Sequence, residues 1–154
     1  MTSAIRADLA EAHRQSLQHV ASPGARLDAE RRLQIAAAAT QGYLAAEPPP
    51  PWVRPFADPA LDVAFRLARY AGTITQEWYE QVITEGMHTL QWVEFVGIVV
   101  VHVSPLAFAR AAGCALPGDQ PSPAGPPHAL ETPPPAPQTL NWVPVVALPQ
   151  KTPP

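Results

Sequence analysis

Proline divides this chain. Of 21 prolines in 154 residues, thirteen lie in residues 117–154 and four form the run 48–51. Proline has no backbone donor and its ring blocks a helix interior. A helical body must therefore end near Gly113, and the chain beyond it should be extended with polyproline II character. The expected organisation is a helical domain over residues 1–115 and a Pro-rich extended tail over 116–154. The tail should pack on the body or on a neighbouring subunit, because Leu140, Trp142, Val143, Val145 and Val146 give it an apolar anchor. Apolar residues make up 47% of the chain and charged residues 15%, enough core formers for a single domain of this length.

Within the body the helix signals are dense. Ile5, Leu9, Ala12 and Val20 fall at helical spacings, and Pro23-Gly24 ends that segment. Asp28 caps a second helix, with Glu30 in its first turn. Leu33, Ala36, Ala37, Thr40 and Leu44 form its expected buried stripe, and their small size implies close packing. Asp58 caps a third helix whose first residue is Pro59, with Leu61, Ala64, Phe65 and Ala68 inward and Gly72 at the end. Thr75 caps a fourth, with Trp78 and Val82 inward and Gly86 as its stop. Thr89 caps a fifth over 90–103. Ser104-Pro105 then opens a short sixth, which Gly113 closes.

The fifth segment holds VGIVVVHV and could be a buried strand. Helix is the better reading, because no second strand is available to pair with it and a lone strand leaves its backbone groups unsatisfied. Valines on all sides imply a helix buried almost all round. Gly97 in its middle costs about 1 kcal/mol relative to Ala, which suggests a close helix crossing. Glu94 stands among Trp92, Val93, Phe95 and Val96, and His102 closes the run. A carboxyl in such surroundings must find a partner or raise its pKa. Glu94 and His102 are the candidate catalytic residues. On one helix they point about 80° apart and lie roughly 12 Å apart along the axis, so they cannot bond each other. By helix order, Arg66 and Arg69 are the nearest cations for Glu94. An apolar pocket makes Glu94 a usable acid; a partnering arginine makes it a structural anion. His102 reads equally as a satisfied core histidine.

Composition narrows the function classes. Net charge is −3 and the only adjacent basic pair is Arg31-Arg32, so a nucleic-acid face is not expected. The first residues mix charges and hold no apolar signal region. The longest unbroken apolar run, 95–101, is short of a membrane span. A cytoplasmic protein is the expectation. One cysteine, Cys114, excludes an intramolecular disulfide, and its place after a helix C-terminus disfavours a thiolate. His13, His19, His88 and His102 are too dispersed for a metal set. No metal and no cofactor are expected.

Two parts of the chain resemble the AhpD-like alkylhydroperoxidase / carboxymuconolactone decarboxylase superfamily. One is Leu27-Asp28-Ala29-Glu30-Arg31-Arg32-Leu33-Gln34-Ile35-Ala36, similar to that family's acidic-Glu-Arg helix start. The other is 73–113, with Glu77-Trp78-Tyr79, Gly86 and Trp92-Val93-Glu94-Phe95-Val96-Gly97. In the tail, Leu116-Pro117, Pro121, Gly125-Pro126 and Asn141-Trp142-Val143-Pro144 look like the same branch. The resemblance covers most of 10–145. It implies an all-α, AhpD-like bundle of five to six helices, assembled as a homo-oligomer. The departure is equally informative. Active peroxidases of that family carry a Cys-x-x-Cys about a dozen residues after a helix glutamate. Counting on from Glu30 reaches residues 41–46, and from Glu94 residues 106–112, and neither window holds sulfur. The dithiol mechanism needs that thiolate nucleophile, so it is not expected here.

Two function classes remain. One is a small-molecule-binding or assembly protein on a retained fold. The other is a small-molecule enzyme using Glu94 as a buried general acid or base.

Overall fold

The computed structural model describes residues 5–115. Five α-helices occur in the order α1 (Ala7–Val20), α2 (Ala29–Leu44), α3 (Pro59–Arg69), α4 (Gln76–Thr84) and α5 (Thr89–Ala112), with a 3-10 turn at Ala71–Thr73. No strand occurs among the described residues. The segment VGIVVVHV lies inside α5. The expected docking of the tail lies outside the described residues.

The caps obey side-chain chemistry. Asp28 accepts the Arg31 N–H at 2.7 Å and Asp58 accepts the Ala60 N–H at 2.9 Å, with Pro59 first in its helix. Thr75 accepts the Trp78 N–H at 3.3 Å. Gly113 ends α5 in the left-handed region, φ 61°. At the start of α5 the cap is His88, not Thr89. His88 Nδ1 accepts the Leu90 N–H at 3.1 Å, while the Gln91 side chain accepts the His88 N–H at 3.0 Å. This reciprocal pair satisfies orphan donors as a serine capping box does.

The sixth helix does not form separately, because Pro105 sits inside a continuous α5. An internal proline costs a helix about 3 kcal/mol. Here both flanks are held by packing: Pro105 is itself buried, and Phe108 stacks edge-on against His13 of α1 at 5.1 Å.

Three helices run parallel. Arg31 and Asp58 pair at 2.7 Å at the starts of α2 and α3. Arg32 meets Glu94 and Thr40 meets His102, each across 62 residues, so α2 and α5 lie side by side in one direction. α1 runs back along α5, with Val20 near Glu94 and His13 near Phe108. α4 closes one side through edge-on contacts of Trp78 and Tyr79 with Trp92, 5.6 and 5.1 Å between rings.

The core is built from Val20, Ile35, Ala36, Ala39, Val63, Trp92, Phe95 and Ile98 among others. The stripe on α2 is rotated from the expected one: Arg32, Ile35, Ala36 and Ala39 are buried, whereas Ala37 and Leu44 are exposed. Two neighbours, α3 and α5, flank α2 and set this face. Close packing occurs at Gly42, where an added Cβ would come within 2.5 Å of the Phe65 carbonyl oxygen. Gly97 is not such a crossing, since a Cβ there meets nothing within 4 Å.

α5 is not buried all round. Trp92, Phe95, Ile98, Val99 and His102 face inward, while Val93 is 45% and Val100 57% exposed. α1, α2 and α3 cover three sides of it, and no described element covers the fourth. By length and composition α5 is apolar enough to cross a membrane, a property shared by helices at the centre of a bundle.

Candidate functional site: the Arg32–Glu94 cleft

The link between α1 and α2 turns tightly at Pro23-Gly24, where the Gly24 N–H donates to the Leu27 carbonyl at 2.8 Å. That turn lies against Glu94. An ideal Cβ on Gly24 would overlap Glu94 Oε1 and crowd Arg32 Nη1, so a larger residue there would have to displace the ion pair. The Arg26 N–H donates to Glu94 Oε2 at 2.9 Å. Arg32, from the first turn of α2, donates through Nη1 to Oε1 at 2.5 Å. Its Nε and Nη2 donate to the carbonyls of Val20 and His19, both at 3.0 Å. Those carbonyls end α1, where unpaired acceptors and the negative end of the helix dipole favour a cation.

Glu94 thus takes the first of the two courses open to it: it is ion-paired. Side-chain exposure is 6% for Arg32 and 11% for Glu94. Taking both charges out of water is costly, and only good geometry with further hydrogen bonds recovers that cost. The three bonds of Arg32 and the Arg26 N–H supply them. The partner is neither Arg66 nor Arg69. Arg66 lies over the Trp78 ring at 4.4 Å, and Arg69 is exposed at the end of α3.

The pair borders a cleft of about 170 Å³ lined by His19, Val20, Arg32, Glu94, Gly97, Ile98 and Val101. A cavity of about 150 Å³ holds one benzene ring. The cleft therefore suits a single ring or a short branched chain, with an ion pair on one wall and aliphatic groups on the other. A carboxylate offers about four lone-pair sites. Arg32 and the Arg26 N–H take two, which leaves acceptor capacity for an O–H or N–H of a ligand.

His102 does not line this cleft. It is buried on the α2 side, with Nε2 at 2.8 Å from Thr40 Oγ1. With the Thr40 hydroxyl donating to the Ala36 carbonyl at 3.1 Å, the Nε2–H tautomer of His102 is the one that lets both groups bond. Nδ1 is buried with no partner among the described residues. Burial pushes the His102 pKa below its ordinary value. The two candidate residues therefore share a helix and a neighbour, but not a site.

A second buried carboxyl went unread in the sequence. Asp62 is 8% exposed, and burial raises its pKa despite Arg54 at 4.0 Å. The void beside it, bordered by Arg54, Trp78 and Glu85, measures about 40 Å³, room for a water or two. No group of three His, Cys, Asp or Glu able to hold a metal occurs among the described residues. Cys114 is half-buried, its Sγ 3.8 Å from the Ala109 carbonyl oxygen.

Arg32 was the decisive residue that sequence reasoning missed. Its signal was present: it falls three, four and seven residues before Ile35, Ala36 and Ala39, on the apolar face of its helix. An arginine on one apolar stripe and a glutamate on another are candidates to meet. Thr40 and Gly24 carried no comparable signal, because their roles arise only from the α2–α5 register and the turn. The chain matches no family model, and neither a characterised protein nor a solved structure matches it.

Proposed function

We propose that the chain is a divergent AhpD-like/carboxymuconolactone decarboxylase-like protein without dithiol peroxidase chemistry, a homo-oligomer that binds a small molecule in the Arg32–Glu94 cleft. The observation that carries this reading is the cleft itself: one ring in size, with a hydrogen-bonded carboxylate on its wall. A cleft of this volume suits a small compound better than a nucleotide. The mixed wall favours a neutral, single-ring or short-chain compound with one O–H or N–H donor. Support for self-association lies elsewhere on the surface. The turn closed by the Val53 N–H on the Pro50 carbonyl, 2.9 Å, presents Trp52 at 82% exposure. Large aromatics held on rigid backbone are favoured interface anchors.

The alternative is an enzyme using Glu94 as general acid or base. Its access to the cleft supports that reading. The Arg32 pairing weighs against it, since the carboxylate is already held in place by two hydrogen bonds to protein groups.

Phenol serves as the probe. Titrated into the protein, it should give saturable shifts in the resonances of Ile98 and Val101. Gly97→Leu should abolish them while leaving the circular dichroism spectrum unchanged, because the space beside Gly97 is open. Equal binding by the Gly97→Leu protein would refute the cleft as the site. Peroxide turnover with a dithiol reductant, lost in Cys114→Ser, would refute the statement about peroxidase chemistry.

A further inference from the structure

The Arg32–Glu94 pair is not saturated. A guanidinium carries five N–H donors. Arg32 uses three of them, on the carbonyls of Val20 and His19 and on Glu94 Oε1. One N–H on Nη1 and one on Nη2 have no partner among the described residues, although the side chain is only 6% exposed. Glu94 Oε1 accepts one bond and keeps lone-pair capacity for another. Both side chains border the cleft, whose other walls are aliphatic apart from His19. A buried donor left unpaired is costly. The wall therefore suits a group that supplies an acceptor and a donor together.

One distance narrows that group. Nη1 and Oε1 stand 2.5 Å apart. In a carboxamide the oxygen and nitrogen lie roughly 2.3 Å apart, given C=O and C–N bonds of about 1.23 and 1.33 Å. Laid alongside the pair, the amide oxygen accepts from Nη1 and the amide N–H donates to Oε1. The two bonds are then nearly parallel and close to linear. A hydroxyl must serve both atoms through one oxygen, at the apex of a narrow triangle, where an N–H···O bond of ordinary length is bent far from linear. A carboxylate has no donor and meets Glu94 as a like charge. An ammonium has no acceptor and meets Arg32 as one.

We propose that the cleft takes a neutral carboxamide on a short branched apolar body, its oxygen bonded by Arg32 Nη1 and its N–H by Glu94 Oε1. The volume of about 170 Å³ sets the size of that body: isobutyramide has as many non-hydrogen atoms as benzene, which a cavity of about 150 Å³ accepts. The proposal rests on the small-molecule reading of the cleft and adds to it the acceptor half of the recognition.

The test compares three compounds of one shape and size. Isobutyramide offers both groups on separate atoms, 3-methyl-2-butanol offers both on one oxygen, and 3-methyl-2-butanone offers the acceptor alone. Each is titrated into the full chain and followed through the resonances of Ile98 and Val101. The amide should bind at least about tenfold more tightly than the alcohol or the ketone. In Arg32→Met/Glu94→Leu the order should invert to favour the ketone, because the amide is the most costly of the three to take out of water. Alcohol binding as tight as that of the amide would overturn the proposal and leave the small-molecule reading standing, since that reading asks only for a donor. An amide preference that persists in the double variant would also overturn it. Absence of saturable shifts with all three would overturn it too, and the response to phenol then decides whether the small-molecule reading falls with it.

Discussion

Removing the Glu94 carboxylate leaves the Arg32 guanidinium buried with two α1 carbonyls as its remaining partners. Removing Arg32 leaves the carboxylate with one backbone N–H. Either loss strands a charge at 6% or 11% exposure, and breaking one side of a buried pair costs about 3–5 kcal/mol. Arg32→Met and Glu94→Gln should therefore each lower unfolding stability by about that amount. The double variant Arg32→Met/Glu94→Leu should recover most of the loss, because apolar groups of similar volume replace a buried pair nearly neutrally. Urea unfolding of the four proteins gives the coupling directly; additive losses would show the pair to be energetically independent. At this scale the sequence was half legible. A lone glutamate in an apolar helix announced that a partner existed. Which arginine answered it could not be read, because helix order suggested α3 while the parallel register of α2 and α5 supplied α2.

Among the elements, α3 shows how one side chain does two jobs. Asp58 caps the helix through the Ala60 N–H and pairs with Arg31 across to α2. The Arg31 guanidinium beside it holds its carboxyl below the usual range. The pair is about one-third exposed on each side, so its worth is small, under about 1 kcal/mol. The cap is worth about 1–2 kcal/mol. Asp58→Ala should lower stability by about 1–2 kcal/mol, and Asp58→Asn, which retains an acceptor for the cap, by less than half of that. A thermal melt in which both variants fall equally would place the energy in the ion pair instead. Element boundaries were largely legible here, because Asp28, Asp58, Thr75, Gly86 and Gly113 carry local chemistry that needs no tertiary context. Pro105 misled for the same reason: locally it stops a helix, and packing against α1 keeps the helix going. The uncovered side of α5 was also beyond local reading, since a run of valines says nothing about how many neighbours are available.

For the molecule as a whole, pH stability should carry the mark of His102. Its folded pKa lies below the ordinary value because the ring is buried. Above about pH 6.5 the histidine is neutral in both folded and unfolded chains and its contribution is fully present. As pH falls below that value the unfolded chain takes up the proton first, so stability declines through the range down to the folded pKa. His102→Gln should flatten this decline between pH 7.5 and 5.5 in urea unfolding. A slope unchanged by the substitution would assign it to other groups.

The parallel register of α2 with α5 also bears on how the chain reaches this state. The Arg32–Glu94 and Thr40–His102 contacts each close a loop of 62 residues. Closing a loop of that length costs on the order of 4 kcal/mol before any contact compensates it. During synthesis α1, α2 and α3 emerge first, with Arg32 facing a missing partner and Ile35 and Ala39 uncovered. Without α5 that fragment lacks both the Glu94 counter-charge for Arg32 and the apolar residues Phe95 and Ile98 that complete the core. The arrival of α5 supplies the apolar face and the counter-charge together. A chain halted before Glu94 should therefore be easily proteolysed, and one extended through α5 resistant, which limited proteolysis of the two lengths would check.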